Sequence, residues 1–161
     1  MTITVVGAKG GVGVTSVALS IASRNDGTYS SDDPVNVDDA KAIFGVASGA
    51  DLPHGDAVSV IDAGTLDRFA ATPHDGRRVL VVRNCYLSLR RAIAMAYLFD
   101  VAVVITEPDR ALDAQDVASV LGLSVIELPY DTAVARAIDS GLFNVRRPES
   151  LRRLDGLMVA V

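Results

Sequence analysis

The stretch GAKGGVGVTS, residues 7 to 16, decides the fold. It follows an apolar, β-branched run, TITVV (2 to 6), and small and apolar residues recur at helical spacing from Thr15 to Ala22. Glycines in such a loop let successive backbone N–H groups converge on an anion at the start of the helix. Strand, glycine loop and helix in this order predict a phosphate-binding loop. The alternative is a tight turn without a ligand, although such a turn needs only about one or two glycines.

Apolar runs rich in β-branched residues alternate with helical patterns along the rest of the chain. The predicted strands are 35 to 38, 56 to 62, 78 to 84, 101 to 106 and 124 to 128, and the predicted helices are 65 to 71, 86 to 98 and 111 to 121. The polar segment 25 to 34 is predicted to be a surface loop. Most of these strands are apolar on both faces and therefore need cover on both sides of the sheet. The sequence predicts an α/β fold with three αβα layers around a mostly parallel sheet, in one domain spanning residues 1 to 161.

Charge and cysteine content limit the partners and the cellular compartment that the sequence favours. Fifteen Lys and Arg against 20 Asp and Glu give a net charge of −5, which offers nucleic acid or anionic lipid no general attraction. A single cysteine, Cys85, excludes an intrachain disulfide and fits a reducing compartment. The N-terminus lacks the plan of a secretory signal, and no apolar run has the roughly 18 residues of a membrane span. These features predict a cytoplasmic protein.

The segment KGGVGVT, Lys9 to Thr15, resembles the deviant phosphate loop of the MinD/ParA family of P-loop ATPases, whose pattern is K-G-G-x-G-K-[ST]. The first lysine of that pattern is present as Lys9, whereas Val14 replaces the second. In the family the first lysine reaches the nucleotide bound by the partner subunit of an ATP-sandwich dimer. The resemblance therefore implies a P-loop NTPase-like fold and a homodimer in which Lys9 has a catalytic role across the interface.

The resemblance also implies roles for other residues. The phosphates of ATP or ADP would contact Gly10, Gly11, Val12, Gly13, Val14, Thr15 and Ser16, and Thr15 would also bind magnesium. VNVDDA (35 to 40) resembles the family's second strand, so Asp38 matches the aspartate that orients the attacking water. VSVIDAGT (58 to 65) makes Asp62 the match for the aspartate that holds magnesium through water. ELPYDTAVARAIDSGL (127 to 142) resembles a late segment in which Pro129 would lie near the adenine.

Asp38 and Asp62 also have a purely structural interpretation. An aspartate at the end of a strand often caps the turn or helix that follows. We favour the functional interpretation for Asp62, because the glycine loop and the two aspartates follow one another in the family's order. For Asp38 the two interpretations stay open.

The sequence departs from the family pattern at several points. Val14 replaces the lysine, the second strand lacks the full D-x-D pattern, VVITEPD (103 to 109) lacks the asparagine that contacts the base, and the chain is shorter than is usual. A charged hydrogen bond contributes about 1.5–3 kcal/mol, so the loss of the lysine weakens nucleotide binding by roughly ten- to a few-hundred-fold. Phosphoryl transfer depends on electrostatic stabilisation, and the loss of a comparable cation slows it on the order of a thousandfold or more.

These departures predict a shortened, degenerate family member with weak or absent ATP binding and little hydrolysis. It would act as a binding or scaffolding component, with a protein partner, in cellular positioning, partition or assembly. One alternative is an active ATPase that dimerises with ATP and in which Lys9 supplies the missing charge. The other is a DNA-associated partition protein, which requires the arginines to gather on one face.

The C-terminal segment RRPESLRRLDGLMVAV (146 to 161) places Leu151, Leu154 and Leu157 three residues apart among four arginines. This pattern predicts a short amphipathic helix docked on the domain, and the alternatives are a surface for a protein partner, a membrane or the DNA backbone.

The remaining polar residues give weaker signals. His54 and His74 have no other ligand at metal-binding spacing. Cys85 is predicted to pack between a strand and a helix, and Arg90 and Arg91 are predicted to lie on the surface.

Overall fold

The computed structural model describes residues 1–48, 58–69, 76–143, 145 and 148–158. Within this part of the chain, parallel strands form one sheet in the order β3-β2-β4-β1-β5-β6-β7. The strands are β1 (Thr2–Gly7), β2 (Thr28–Ser31), β3 (Ala47–Ser48), β4 (Ser59–Thr65), β5 (Arg77–Arg83), β6 (Val101–Thr106) and β7 (Val125–Pro129). The predicted α/β fold with a parallel central sheet is confirmed.

Helices cover both faces of this sheet. They are α1 (Val14–Arg24), α2 (Pro34–Asp39), α3 (Leu66–Phe69), α4 (Tyr86–Ile93), α5 (Ala114–Leu121) and α6 (Thr132–Asp139), with a π turn over Ala40–Phe44 and 3₁₀ helices over Ala96–Leu98 and Glu149–Met158. Residues of α1, α6, the π turn and the C-terminal 3₁₀ helix share one apolar cluster, whereas residues of α3, α4 and α5 share the other. The three predicted layers are therefore present.

The strands are apolar on both faces because the side chains of successive residues enter different cores. In β5, Val79 and Val81 belong to the cluster around α1, whereas Leu80 and Val82 belong to the cluster around α4. This alternation is the period of two that a pleated strand imposes. It accounts for the uninterrupted apolar runs in the sequence.

The strand order places the glycine loop at the centre of the sheet. β1 pairs with β4 on one side and with β5 on the other, and the chain leaves β1 toward β2 on the β4 side. The loop follows β1, so it lies at the carboxyl ends of the parallel strands beside the point where the strand order changes direction. Open α/β sheets bind their ligands at this position.

One predicted strand and one predicted loop are wrong. Residues 35 to 38 lie in α2, and the second strand is Thr28–Ser31, inside the segment predicted to be a loop. The alternation of apolar and polar residues in VNVD resembles a strand, but Asp33 caps the helix by accepting a hydrogen bond from Val35 N at 3.1 Å, and Pro34 occupies the first turn. Both are start signals of a helix. Asp38 is therefore an exposed helical residue and does not end a strand.

The C-terminal segment forms a docked 3₁₀ helix over Glu149–Met158. Leu151, Leu154 and Leu157 are buried in the core cluster that also contains residues of α1. A 3₁₀ helix has about three residues per turn, so a spacing of three places all of these side chains on one face. The predicted docking on the domain is confirmed.

Some sequence predictions fall outside the described residues. They concern His54, His74, Arg146, Arg147 and parts of the segments 56 to 62 and 65 to 71. Among the residues that the structure describes, no helix is long and apolar enough to cross a membrane.

Candidate functional site

The glycine loop leaves the beginning of α1 open. Gly11 and Gly13 have φ values of 74° and 96°, which side-chain-bearing residues rarely adopt. No side chain caps α1, so the N–H groups of its first turn are not satisfied by a side-chain acceptor. The space where Gly10 and Gly11 would carry a Cβ is empty to a distance of 4 Å. Main-chain donors at an open, uncapped helix N-terminus suit an anion.

Val14 lies inside the loop. Its side chain is 8% exposed and belongs to the core cluster around α1. A Cβ placed on Gly7 would collide with Cγ2 of Val14 and would also crowd Cγ2 of Val12. The loop therefore closes around two aliphatic side chains, and Gly7 is required for this close approach.

An open cleft of about 320 Å³ lies above the loop. Its walls come from the loop, from the start of α1 and from the ends of β2 and β4. The lining residues are Lys9, Gly10, Gly11, Gly13, Val14, Thr15, Ser16, Ser31, Asp32, Asp33, Asn36, Asp62, Ala63, Gly64 and Thr65. The structure thus brings Lys9, Thr15 and Asp62 together, as the sequence predicts, but Asp38 is not among the lining residues.

Asp62 lies in the middle of β4 and is nearly fully buried, and its carboxylate receives three hydrogen bonds. Thr15 Oγ1 donates to Oδ2 at 2.7 Å, the hydroxyl of Tyr29 donates to the same oxygen at 3.0 Å, and Gly64 N donates to Oδ1 at 2.9 Å. Three donors hold the carboxylate in one orientation facing the first turn of α1. The sequence predicts that the strand ends at Asp62, but β4 continues to Thr65, and the contacts of Asp62 with Thr15 and Tyr29 go beyond the capping of a local turn.

Tyr29 is a part of the site that sequence reasoning missed. Its side chain is completely buried, and the pairing of β2 with β4 puts Ser31 opposite Asp62, so that Tyr29 lies two residues below the carboxylate on the neighbouring strand. Burial raises the pKa of the Tyr29 hydroxyl far above its usual range, and the negative charge of Asp62 raises it further. Tyr29 therefore stays protonated and acts as a hydrogen-bond donor.

Two further carboxylates lie beside the cleft at the end of β2. Asp32 and Asp33 are exposed, and Asp33 uses Oδ1 to cap α2. With Asp62 they put three acidic side chains on the lining of the cleft, against one basic side chain, Lys9. The ammonium of Lys9 is 3.5 Å from the carbonyl oxygen of Gly10 and contacts no carboxylate in the described part of the chain. The dipeptide Asp32-Asp33, directly before Pro34 at the start of α2, is the sequence signal for this pair.

The donor set fits magnesium polyphosphate better than polyphosphate alone. Magnesium prefers hydroxyl, carboxylate and water oxygens, which Thr15 and Asp62 supply, and main-chain N–H groups supply donors for phosphate oxygens. The three carboxylates would repel a free polyphosphate. Among the described residues, no cluster of three or more His, Cys, Asp and Glu side chains is arranged to hold a metal ion by itself. The arrangement thus fits a metal that arrives with its phosphate ligand.

A second, apolar cavity of about 140 Å³ adjoins the phosphate cleft, and Gly13 and Ser16 line both. Pro129 lines this cavity together with Ile105, Leu128 and Val134 from β6, β7 and α6. An apolar space beside a phosphate cleft is suited to a flat base. The structure therefore brings Pro129 to the cavity beside the loop, and its contact with an adenine stays a prediction.

A polar network follows β5 and β6, and one of its members, Arg83, lines the apolar cavity. Asn84 is buried directly after β5 and binds the backbone of the loop that follows β6. Its amide NH₂ group donates to the carbonyl oxygens of Glu107 and Leu112 at 3.0 Å, and its amide oxygen accepts from Glu107 N at 2.9 Å. The carboxylate of Glu107 pairs with Arg110 and with Arg83, whose Nη1 lies 2.6 Å from Oε1. Hydrogen bonding to Arg110 is the largest cause that lowers the pKa of Glu107, and Arg83 adds to it.

Other predicted residues lie apart from both cavities. Cys85 is a free, partly buried thiol between β5 and α4, at the junction where it was predicted to pack. Arg90 and Arg91 are exposed on α4, as predicted. The predicted helix 86 to 98 is interrupted, because α4 ends at Ile93 and a 3₁₀ turn follows over Ala96–Leu98.

Comparison with solved structures identifies the fold. The chain is similar to the MinD cell division protein of Aquifex aeolicus, with a TM-score of 0.71 and 15% identity over 99% of this chain and 98% of that chain. The fold is that of the P-loop NTPases. A ParA family ATPase from Chlorobium tepidum has a TM-score of 0.64 at 15% identity, covering 98% and 97% of the two chains. A nucleotide-binding protein from Archaeoglobus fulgidus, solved in complex with ADP, has a TM-score of 0.59 at 15% identity, covering 92% of this chain and 89% of that chain.

The likeness in three dimensions spans nearly the whole chain, whereas the overall sequence identity is only 14–15%. No protein-family model and no curated protein sequence matches this chain. The P-loop fold explains why the glycine loop, Thr15 and Asp62 lie together, because in this topology the ends of β1 and β4 are neighbours. A complex of the MinD and MinC cell division proteins of Aquifex aeolicus has the same fold, with a TM-score of 0.67 and 14% identity over 99% of this chain and 97% of that chain.

Proposed function

We propose that the protein is a degenerate P-loop protein that binds a magnesium nucleotide weakly, has lost efficient hydrolysis and serves as a scaffolding component in cellular positioning, partition or assembly. The resemblance of the loop to the MinD/ParA pattern and the shared fold support this proposal. The protein would work as a homodimer together with a protein partner. ATP or ADP with magnesium is the ligand whose chemistry fits the phosphate cleft and the adjoining apolar cavity.

The observation that carries the proposal is the burial of Val14. The position that the family pattern gives to a lysine is occupied here by a side chain packed into the core, and Lys9 is the one basic residue among those that line the cleft. Main-chain donors and magnesium can still hold phosphates. The transition state of phosphoryl transfer, however, needs positive charge at the transferred group, and one exposed lysine among three carboxylates supplies little of it.

Asp38 does not fit the role of orienting the attacking water, since it is exposed on α2 and does not line the cleft. Asp32 and Asp33 line the cleft at the end of β2 and are better placed for such a role. We therefore assign any residual activation of water to this pair.

The proposal is tested by the charge at position 14. Val14→Lys restores the cation, whereas Val14→Met adds a side chain of similar length without charge and controls for the disturbed packing. Binding of a fluorescent ATP analogue with magnesium and steady-state phosphate release are measured for the wild type and both variants.

We expect Val14→Lys to strengthen binding by about tenfold or more relative to Val14→Met, because a charged hydrogen bond is worth about 1.5–3 kcal/mol. Phosphate release by the wild type should stay at the background of a nucleotide-free control. Rapid, nucleotide-saturable phosphate release by the wild type would overturn the proposal.

A second candidate is an active ATPase in which Lys9 supplies the missing cation. The position of Lys9 on the same cleft as Thr15 and Asp62 favours it. Under this alternative, Lys9→Ala abolishes turnover, whereas under the scaffold proposal there is no turnover to lose. The DNA-binding alternative has less support, because Arg152 and Arg153 pair with Glu149 and Glu127 and do not form an unpaired basic face.

A further inference from the structure

The outer face of α4 carries large apolar side chains that the fold does not cover. Tyr86 is 73% exposed, Tyr97 in the following 3₁₀ turn is 80% exposed, and Ile93 and Leu87 are about half exposed. Tyr86, Arg90 and Ile93 are spaced i, i+4 and i+7, which places them in one stripe along the helix. The opposite face, with Ser88, Leu89 and Ala92, is buried against the sheet. The helix is therefore apolar on two faces, of which the fold uses one.

The stripe also carries uncompensated positive charge. Arg24, Arg78, Arg83, Arg110, Arg152 and Arg153 all pair with carboxylates. Arg90 and Arg91, in contrast, form no ion pair with any residue that the structure describes. From Tyr86 to Leu98 the sequence contains no Asp or Glu. A protein with a net charge of −5 thus keeps two free cations on its most exposed aromatic surface.

We propose that the surface formed by Tyr86, Leu87, Arg90, Arg91, Ile93 and Tyr97, the α4 surface, docks an acidic amphipathic helix of a partner protein. Apolar side chains of the partner would cover the tyrosines and Ile93, and its carboxylates would pair with Arg90 and Arg91. Tyrosine and arginine are the residue types that contribute most at protein interfaces. The proposal rests on the scaffolding role proposed above and names the chemistry of the partner.

Charge selects this occupant over a second copy of the chain. A two-fold contact through the α4 surface would bring Arg90 and Arg91 of both copies together, with no carboxylate in the stripe to separate them. Like charges at an interface oppose association, whereas an acidic partner gains from both arginines.

Charge and composition also disfavour anionic surfaces. Membrane and nucleic acid attract proteins through several cations at once, and the α4 surface has two on an acidic chain. The aliphatic residues Leu87 and Ile93 find no counterpart on a phosphate backbone. An amphipathic helix matches both the apolar and the charged part of the stripe.

The experiment uses site-specific photocrosslinking of the full chain in its native cells. Benzoylphenylalanine replaces Tyr97, and in a control it replaces Val35, which is 63% exposed on α2. Crosslinked peptides are sequenced, and the captured segment is synthesised and titrated against the purified protein by fluorescence anisotropy. The titration is repeated with the double variant Arg90→Glu, Arg91→Glu and with the matched control Arg136→Glu, Arg152→Glu on other elements.

We expect a discrete protein adduct from position 97 and not from position 35, and the captured segment should carry carboxylates and apolar residues at helical spacing. Affinity for the synthesised segment should fall by about tenfold or more in the α4 double variant and stay unchanged in the control double variant. An adduct with a second copy, with lipid or with nucleic acid would overturn the proposal. So would the absence of any adduct specific to position 97, or equal affinity in the two double variants. Nucleotide binding by the α4 double variant is measured in parallel: it should equal that of the wild type, so that a failure of the nucleotide proposal is seen separately.

Discussion

Thr15 and Asp62 are in direct contact: the hydroxyl of Thr15 donates a hydrogen bond of 2.7 Å to the carboxylate, across 47 positions of sequence. The contact joins the first turn of α1 to the middle of β4. The two groups that would share a magnesium ion are therefore already arranged next to one another.

We expect Asp62→Asn to impair both stability and magnesium-dependent nucleotide binding. The amide keeps the size of the side chain but presents its NH₂ group to donors that now bind a carboxylate, so about 1–3 kcal/mol of the free energy of unfolding should be lost. Urea unfolding and nucleotide titration with and without magnesium measure the two effects. Asp139→Asn, at the end of α6, is the control for a change in net charge. An unchanged dependence on magnesium would show that Asp62 does not serve the metal.

The raised pKa of Tyr29 predicts a loss of stability at alkaline pH. The folded protein keeps the hydroxyl protonated, whereas the unfolded chain releases the proton at the ordinary pKa of about 10. This contribution to stability is complete below that pH and declines as the pH rises above it. Tyr29→Phe removes the titrating group, so the free energy of unfolding of the wild type should fall more steeply than that of the variant above about pH 10. Parallel curves for the two proteins would contradict the assignment.

The excess of carboxylates in the cleft predicts that nucleotide binds only with magnesium. Asp33→Asn should raise the affinity for nucleotide in the presence of EDTA, because it removes one repelling charge while asparagine still caps α2. Isothermal titration calorimetry in EDTA and in excess magnesium provides the comparison, with Asp139→Asn again as the charge control. If EDTA leaves the wild-type affinity intact, the charge argument is wrong.

The C-terminal 3₁₀ helix is predicted to contribute strongly to stability. Leu154 is almost completely buried there, so Leu154→Ala should cost about 2–5 kcal/mol. Leu142→Ala removes the same atoms from a position that is 42% exposed and should cost no more than about 1 kcal/mol. Chemical denaturation of the two variants decides the matter, and similar losses would mean that the helix is not firmly docked.

The sequence predicts those parts of the fold whose pattern has a single physical cause. β5 and β6 are apolar without interruption because both faces are buried, and their predicted bounds agree with the structure to within one residue. β2 was missed because TYSS is short and all four of its side chains carry a hydroxyl group. Tyr29 reaches a buried carboxylate that only the tertiary structure brings near. The capping aspartate and the proline before α2 were a readable signal that the apolar alternation of VNVD obscured.

The residues of the candidate site also differ in whether the sequence could predict them. The loop, Thr15 and Asp62 could be predicted, because each is tied to the end of a recognisable strand or to a helix start. Asp32 and Asp33 were not predicted to line the cleft, because the second strand was expected at residues 35 to 38 and not at Thr28–Ser31. Asn84 gave no local signal, since its partners are backbone groups of a loop more than 20 positions away.

The burial of Val14 affects how the glycine loop responds to a ligand. A loop whose interior is anchored by aliphatic packing is already ordered before any ligand arrives, so the free energy of binding is not spent on ordering it. Ligand and empty forms would then share one backbone arrangement here, and amide exchange in residues 10 to 16 would change little on binding. Ligand binding would then be read from the groups that the occupied cleft presents and not from a rearranged loop.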